Sequence, residues 1–234
     1  MRNPYTLTRR AFLVRSSAAG AGLLLGFHLP AGRKLFAAPV TMVDVDQPVA
    51  VNAWIEIHPD DSVLIRVARS EMGQGIFTAL PMLVAEELDC DWTKVRAEYA
   101  SASENSRQDN VFGSMSTGGS RSVRGSQDYL RMAGAVAREM LITAAAGRWQ
   151  VPVDECSAAN SVITHTPSGR TLGFGAVAAA AAQLTPPEQV FLKEPEEWQL
   201  LGTPVKRLDV PDKIAGKPVF GADVTVPGML HAAI

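Results

Sequence analysis

Cys90 and Cys156 are the only cysteines in this 234-residue chain, and that scarcity excludes several chemistries at once. An iron–sulfur cluster is held by four ligands, so the chain cannot build one from its own thiols. Each thiol sits beside acids, in Asp89-Cys90-Asp91 and Glu155-Cys156-Ser157, which should raise its pKa and leave it inert. The histidines, His28, His58, His165 and His231, are scattered without metal-ligand spacing, so no metal site is expected. Acid is missing altogether from residues 1–38, which hold Arg2, Arg9, Arg10, Arg15, Arg33 and Lys34. Setting those six aside from 22 basic residues leaves 16 against 24 acidic ones, so the body is acidic. That balance argues against a nucleic-acid partner, whose phosphates it would repel. Long apolar runs are also lacking. The stretch from Ser16 to Leu29 offers only about 12–14 apolar residues, short for an ordinary transmembrane helix. Gly20-Ala21-Gly22 with Gly26 imitates a dinucleotide loop, but no strand precedes it and the reading fails.

What the N-terminus does contain is a targeting pattern. Thr8-Arg9-Arg10-Ala11-Phe12-Leu13 matches the twin-arginine signal, so residues 1–38 read as a signal segment and 39–49 as a linker. Such signals carry folded cargo, commonly because a cofactor is inserted before export, which points to the periplasm. Leu35-Phe36-Ala37-Ala38 is a poor A-x-A cleavage site, so a retained, membrane-associated anchor stays open.

From residue 50 the pattern becomes that of a folded domain. Val51, Ala53, Ile55 and Ile57 alternate as one strand; Pro59-Asp60-Asp61-Ser62 turns; Val63, Ile65 and Val67 return. A helix is expected from Phe77 to Leu88, then a strand through Val95, Ala97 and Tyr99. The order β-β-α-β predicts an α+β fold, a mixed or antiparallel sheet with helices on one face. Between strand and helix lies Arg69-Ser70-Glu71-Met72-Gly73-Gln74-Gly75, where two glycines allow a tight turn with main-chain N–H groups facing outward. A second polar run, Ser114 to Gly125, leads into a long helix expected from Gln127 to Trp149. About 25 residues without a core pattern, from Ala100 to Gly125, signal function more than filler. A helix N-terminus there favours an anion, and Arg121 and Arg124 supply donors suited to phosphate. Beyond it, Pro152 to Ala159 reads as a helical turn, Ser161–His165 and Arg170–Leu172 as strands, and Phe174 to Leu184 as a helix. Residues 185–205 read as a proline-rich linker, and Met229 to Ile234 as a strand cut in mid-course.

With Glu71-Met72-Gly73-Gln74-Gly75 and Thr78, Leu80 to Leu88, Thr117-Gly118-Gly119-Ser120 with Ser122-Val123-Arg124, and Ala133-Gly134-Ala135 in hand, the sequence resembles the molybdenum-binding subunits of the xanthine oxidase and aldehyde oxidoreductase family. The exported isoquinoline 1-oxidoreductase β-subunit type is nearer still. The resemblance implies that residues 50–184 are the N-terminal part of a molybdopterin-binding domain. Residues 206–234, with Arg207-Leu208-Asp209 and Phe220-Gly221-Ala222-Asp223, resemble the opening of an α/β-hammerhead domain, which makes the chain an expected N-terminal fragment. It further implies that Gly73, Gln74, Gly75, Thr78, Thr117, Gly118, Gly119, Ser120, Ser122 and Arg124 help hold molybdopterin cytosine dinucleotide. The implied activity is hydroxylation of an aldehyde or N-heterocycle with water. Electrons would leave through a separate two-iron, two-sulfur subunit and, in some relatives, a membrane cytochrome c subunit carrying haem. The family's catalytic glutamate falls near the C-terminus of the full subunit, so no catalytic residue is assigned here. The alternative reading is a truncated, non-catalytic exported paralogue acting as a binding or assembly module.

Overall fold

The computed structural model describes residues 49–232 together with the short strand β1 (Tyr5–Thr6), which pairs antiparallel with β9 (Gln189–Val190). The twin-arginine pattern and most of the following linker lie outside the described residues. Four strands form the main sheet in the order β2 (Val49–Asn52), β3 (Ile55–Ile57), β4 (Val63–Val67) and β5 (Val95–Tyr99). The first three run antiparallel, and β5 lies parallel to β4 with Val63 opposite Val95. The parallel step requires a crossover, and helix α1 (Ile76–Leu88) supplies it. The sheet is mixed, as the β-β-α-β order predicts.

Alternation decides which face is covered. Ile55, Ile57, Val63, Ile65 and Val67 are all buried beneath helices. The opposite face carries an Arg66–Glu56 ion pair at 2.7 Å and an Arg66–Glu98 pair at 3.3 Å. Residues 51–57, expected as one strand, form two, because the chain turns at Ala53 and Trp54. Buried Asn52 explains the turn: its Oδ1 accepts from Trp54 N at 2.9 Å, and its Nδ2 donates to Ala133 O at 3.2 Å.

Helix α2 (Ala102–Arg107) and the four-residue helix α3 (Arg121–Arg124) precede the long helix α4 (Gln127–Trp149). The stretch before α4 is therefore partly anchored: Val111 and Phe112 are buried, and Phe112 packs edge-on against Trp54. Helix α4 is alanine-rich on its buried side, with Ala133, Ala137 and Ala144 beside Leu130 and Leu141. Small residues let α1 come close. At Gly134 an added Cβ would run into the carbonyl oxygen of Val84 and come within 3.0 Å of Glu87 Cβ. Helices α1 and α4 thus lie against each other, and their N-termini hold the two glycine loops.

A second, antiparallel sheet joins β6 (Cys156–Ala159), β7 (Val162–His165) and β8 (Arg170–Gly173), followed by helix α5 (Gly175–Ala181). The helical turn expected over 152–159 is confined to Val153–Glu155; the rest pairs with β7 through Ala158↔Ile163. Residues 190–201 form a strap fixed to α1. Buried Glu86 accepts from Leu200 N at 2.7 Å and Leu201 N at 2.9 Å, and pairs with Lys193 Nζ at 3.0 Å. Glu87 pairs with Arg131 at 2.6 Å. In the downstream segment, helix α6 (Val210–Ile214) is followed by a 3-10 turn at Gly221–Asp223. Residues 229–232 form no strand, contrary to the expectation for this apolar run, and Leu230 is 92% exposed. An isolated apolar stretch without a neighbouring edge has nothing to pair with.

Candidate functional site

Strand β4 delivers the first loop and helix α1 receives it. Gly73 and Gly75 both have left-handed backbones, with φ of 100° and 86°, conformations that side chains rarely adopt. The main-chain N–H groups, expected to face outward, converge instead on Glu71. Its carboxylate accepts from Gly73 N at 2.7 Å, Gly75 N at 2.9 Å and Phe77 N at 3.0 Å. An anion there suits the start of a helix. Burial pushes the Glu71 carboxyl up, but these three N–H groups and Arg207 outweigh it and hold the pKa below its ordinary value. Gln74 is also engaged within the loop: its Nε2 donates to Ser70 O at 2.9 Å, and its Oε1 accepts from Met72 N. Thr78 is buried, and its Oγ1 accepts from Leu208 N at 3.0 Å. Its hydroxyl therefore fastens the downstream segment to α1.

The second loop lies beside the first. Ser70 N donates to Thr117 Oγ1 at 2.8 Å, and the buried Arg69 donates through Nη1 to Ser116 O. Arg69 Nε also approaches Ser126 Oγ at 3.5 Å, which in turn accepts from the Tyr129 hydroxyl at 2.7 Å. Of the ten residues singled out from the sequence, Gly73, Gln74, Gly75, Thr117, Gly118, Gly119 and Ser120 lie on these two adjoining loops, Thr78 lies in the first turn of α1, and Ser122 and Arg124 lie in the short helix α3. Thr117 is the joint; Gly118, Gly119, Ser120 and Arg124 are exposed, and Ser122 is half-buried. Gly119 and Ser120 have positive φ of 59° and 53°. Gly118 does not, and a Cβ added there would meet no atom of the described residues within 4 Å. Neither strain nor crowding among the described residues accounts for glycine at 118. Arg121 Nε bonds Gly118 O at 3.4 Å and Arg124 Nη2 bonds Gly119 O at 3.2 Å, holding two guanidinium groups around the glycines.

Three residues take part in this site in a way that their motifs do not indicate. Arg69 follows a strand and looks like a surface charge, yet it ties the loops together. Arg207 and Asp209, expected to open a separate downstream domain, reach back about 130 positions, and Arg207 meets Glu71 and Gly73 of the first loop. The first loop, with Phe77 and Tyr99, borders a groove of about 1140 Å³ closed on the other side by Leu208 and Phe220. Cys90 plays no part: burial, with Asp89 and Asp91 adding to it, pushes its thiol up to about 12. Burial is the larger cause and the neighbouring acids the smaller. Among the described residues no group of three or more histidines, cysteines and carboxylates could hold a metal ion.

Residues 20–225 match the molybdopterin cofactor-binding domain family. This chain belongs to that family. The molybdopterin-binding chain is 33% identical to the isoquinoline 1-oxidoreductase subunit beta of Brevundimonas diminuta, over 97% of its own length and 33% of that protein. It is 34% identical to the membrane-bound aldehyde dehydrogenase [pyrroloquinoline-quinone] of Gluconacetobacter polyoxogenes, over 98% of its own length and 29% of that protein. It thus spans about a third of the length of the curated relatives it matches. Among solved structures, CO dehydrogenase from Oligotropha carboxidovorans overlaps 60% of this chain and 18% of that one, with a TM-score of 0.43 and 21% identity. No described helix is long and apolar enough to cross a membrane.

The residues present fit a molybdopterin group in kind. A glycine whose Cβ position is open and two guanidinium groups beside it suit a phosphate-bearing cofactor, whereas the long helix expected to begin directly after this run is set back behind the four-residue α3, with its N-cap Ser126 buried.

Proposed function

We propose that this chain forms part of the large subunit of a molybdenum hydroxylase that oxidises an aldehyde or N-heterocycle, with water as the oxygen source, and passes electrons to an iron–sulfur subunit. A cytochrome c subunit is proposed as the next carrier towards the membrane. The cofactor is molybdopterin in its cytosine dinucleotide form, and when bound it supplies the two-electron oxidation. The supporting observation is the juxtaposition of the two exposed glycine loops through Ser70–Thr117 and Arg69–Ser116. In this reading Gly118, Gly119, Ser120 and Ser122 admit the dinucleotide phosphates, and Arg124 with Arg121 balances their charge. Gly73, Gln74 and Gly75 form the wall opposite, shaped from within by Glu71. Glu71 is a loop organiser and not the proton acceptor, because its lone pairs already accept three N–H groups and face a guanidinium.

The twin-arginine pattern at Arg9 and Arg10 supports export in folded form to the periplasm. One experiment tests the whole reading: the full-length protein, purified from the periplasmic fraction with its co-purifying subunits, is denatured and analysed. Molybdenum near one per subunit and released cytosine nucleotide are expected. Recovery of pyrroloquinoline quinone in their place, or an active complex free of molybdenum, would overturn the cofactor assignment. Confinement to the cytoplasm would overturn the export assignment.

A further inference from the structure

The first loop is closed from outside by a residue far along the chain. Arg207 donates from Nη1 to Gly73 O at 3.2 Å, and its Nη2 stands 3.2 Å from Glu71 Oε1. The same guanidinium is gripped in a fork by Asp209, with Nε to Oδ1 at 2.9 Å and Nη2 to Oδ2 at 2.7 Å. Lys213 Nζ, one turn further along α6, lies 2.6 Å from Asp209 Oδ2 and balances the second carboxylate. Between these two residues, Leu208 N donates to the buried Thr78 Oγ1. The three consecutive residues 207–209 therefore act on the loop at both ends: at Gly73 where it turns, and at Thr78 where it becomes helix. A planar fork can serve a carboxylate on one edge and two acceptors on the other, which a single ammonium cannot do.

We propose that Arg207, oriented by Asp209, is a positioning residue that latches the Glu71–Thr78 loop in the shape that holds the cofactor, an inference that rests on the function proposed above. The latch makes cofactor retention depend on the downstream segment: the loop keeps its shape only while residues 207–209 are seated. Glu71 is the common element, gathering the loop's N–H groups on one side and Arg207 on the other. Withdrawing Arg207 leaves Gly73 O without this bond and Glu71 without its cation, so the turn loosens while the helices beneath it stay packed.

The test uses the full-length protein with its co-purifying subunits. Arg207→Ala, Arg207→Lys and Asp209→Asn are compared with the parent by amide hydrogen exchange and by molybdenum retained through dialysis. For Arg207→Ala, exchange within 71–78 should quicken about tenfold, as expected for losing a charge-assisted hydrogen bond, with metal loss quickened alongside. Exchange within 127–149 should not change, and Arg207→Lys should fall between the two. Unchanged exchange in 71–78, or an equal rise throughout 127–149, would overturn the latch. Faster exchange with undiminished metal retention would overturn its role toward the cofactor. Should Arg207→Ala not fold, Asp209→Asn, which frees the guanidinium without removing it, must reproduce the pattern in weaker form. Its failure to quicken exchange in 71–78 sinks the proposal. A parent protein lacking molybdenum overturns the cofactor reading instead, while the exchange measurements still decide the latch.

Discussion

The two glycine loops adjoin, yet they are built on opposite electrostatic plans. Around Glu71–Thr78 charge is spent internally: Glu71 and Asp209 face Arg207 and Lys213, and the N–H groups of Gly73, Gly75 and Phe77 already have an acceptor. Around Gly118–Arg124 both guanidinium groups bond main-chain carbonyl oxygens, and among the described residues no carboxylate bonds either of them. In the function proposed above, the first loop is then a preformed wall and the second an edge that attracts an anion. A ligand with a neutral, ring-like end and a phosphate-bearing end has only one favourable orientation across such a pair.

The largest effect should come from forcing the two loops apart. Gly134 lets α4 approach α1, and Gly134→Val would drive a side chain into Val84 O and Glu87 Cβ. A cost of about 3 kcal/mol is expected, at the upper end of overpacking. The measurement is the urea midpoint of the full-length protein, and a midpoint within error of the parent would mean that the close helix contact is not what joins the loops. Next comes the organiser of the wall. Glu71→Gln should cost about 2 kcal/mol at neutral pH, through charge-assisted bonds weakened to neutral ones. The folded pKa of Glu71 lies below its ordinary 4.5, so its stabilisation is fully present above 4.5 and is lost as pH falls through the folded value. Parent and variant should therefore converge in stability below that range. A gap that persists into acid would show that the charge of Glu71 is not what matters.

Much of this division is legible from the sequence, and the parts that are not share a cause. Alternation at Val63, Ile65 and Val67 and the helical stripe of α4 report burial directly, because local period sets which face is covered. The positions of Gly73, Gly75 and Gly119 are equally readable, since glycine marks backbone freedom. By contrast, Ala53 and Trp54 continue an apolar run, and only the side chain of Asn52 shows that the chain turns there. That Glu71 pairs with Arg207 is hidden, because an ion pair across about 130 residues leaves no periodic trace, and so is the reach of Arg69 to Ser116 O. Loop polarity hid Phe112, whose anchor is Asn105 Oδ1, at 2.8 Å from its N–H. Local patterns disclose elements; partners made by tertiary approach do not.

The smallest effect on stability falls on the edge, and there the contrast between the loops is sharpest. Arg124 is exposed, and its bond to Gly119 O closes a local turn rather than a core. Arg124→Ala should leave the unfolding free energy from urea titration within about 0.5 kcal/mol of the parent, as for most surface substitutions. Its consequence should appear in the ligand: cytosine nucleotide retained through desalting should fall severalfold at low salt. The deficit should narrow as salt rises, because an exposed guanidinium acts on phosphate through a field that salt screens within a Debye length, about 10 Å at 0.1 M. Glu71→Gln should show the reverse signature, a stability loss with little salt dependence, since its bonds are short and shielded. If Arg124→Ala lost stability, or lost nucleotide equally at every salt concentration, the positive edge would be structural. The two loops would then differ only in packing, and not in the charge each reserves for a ligand.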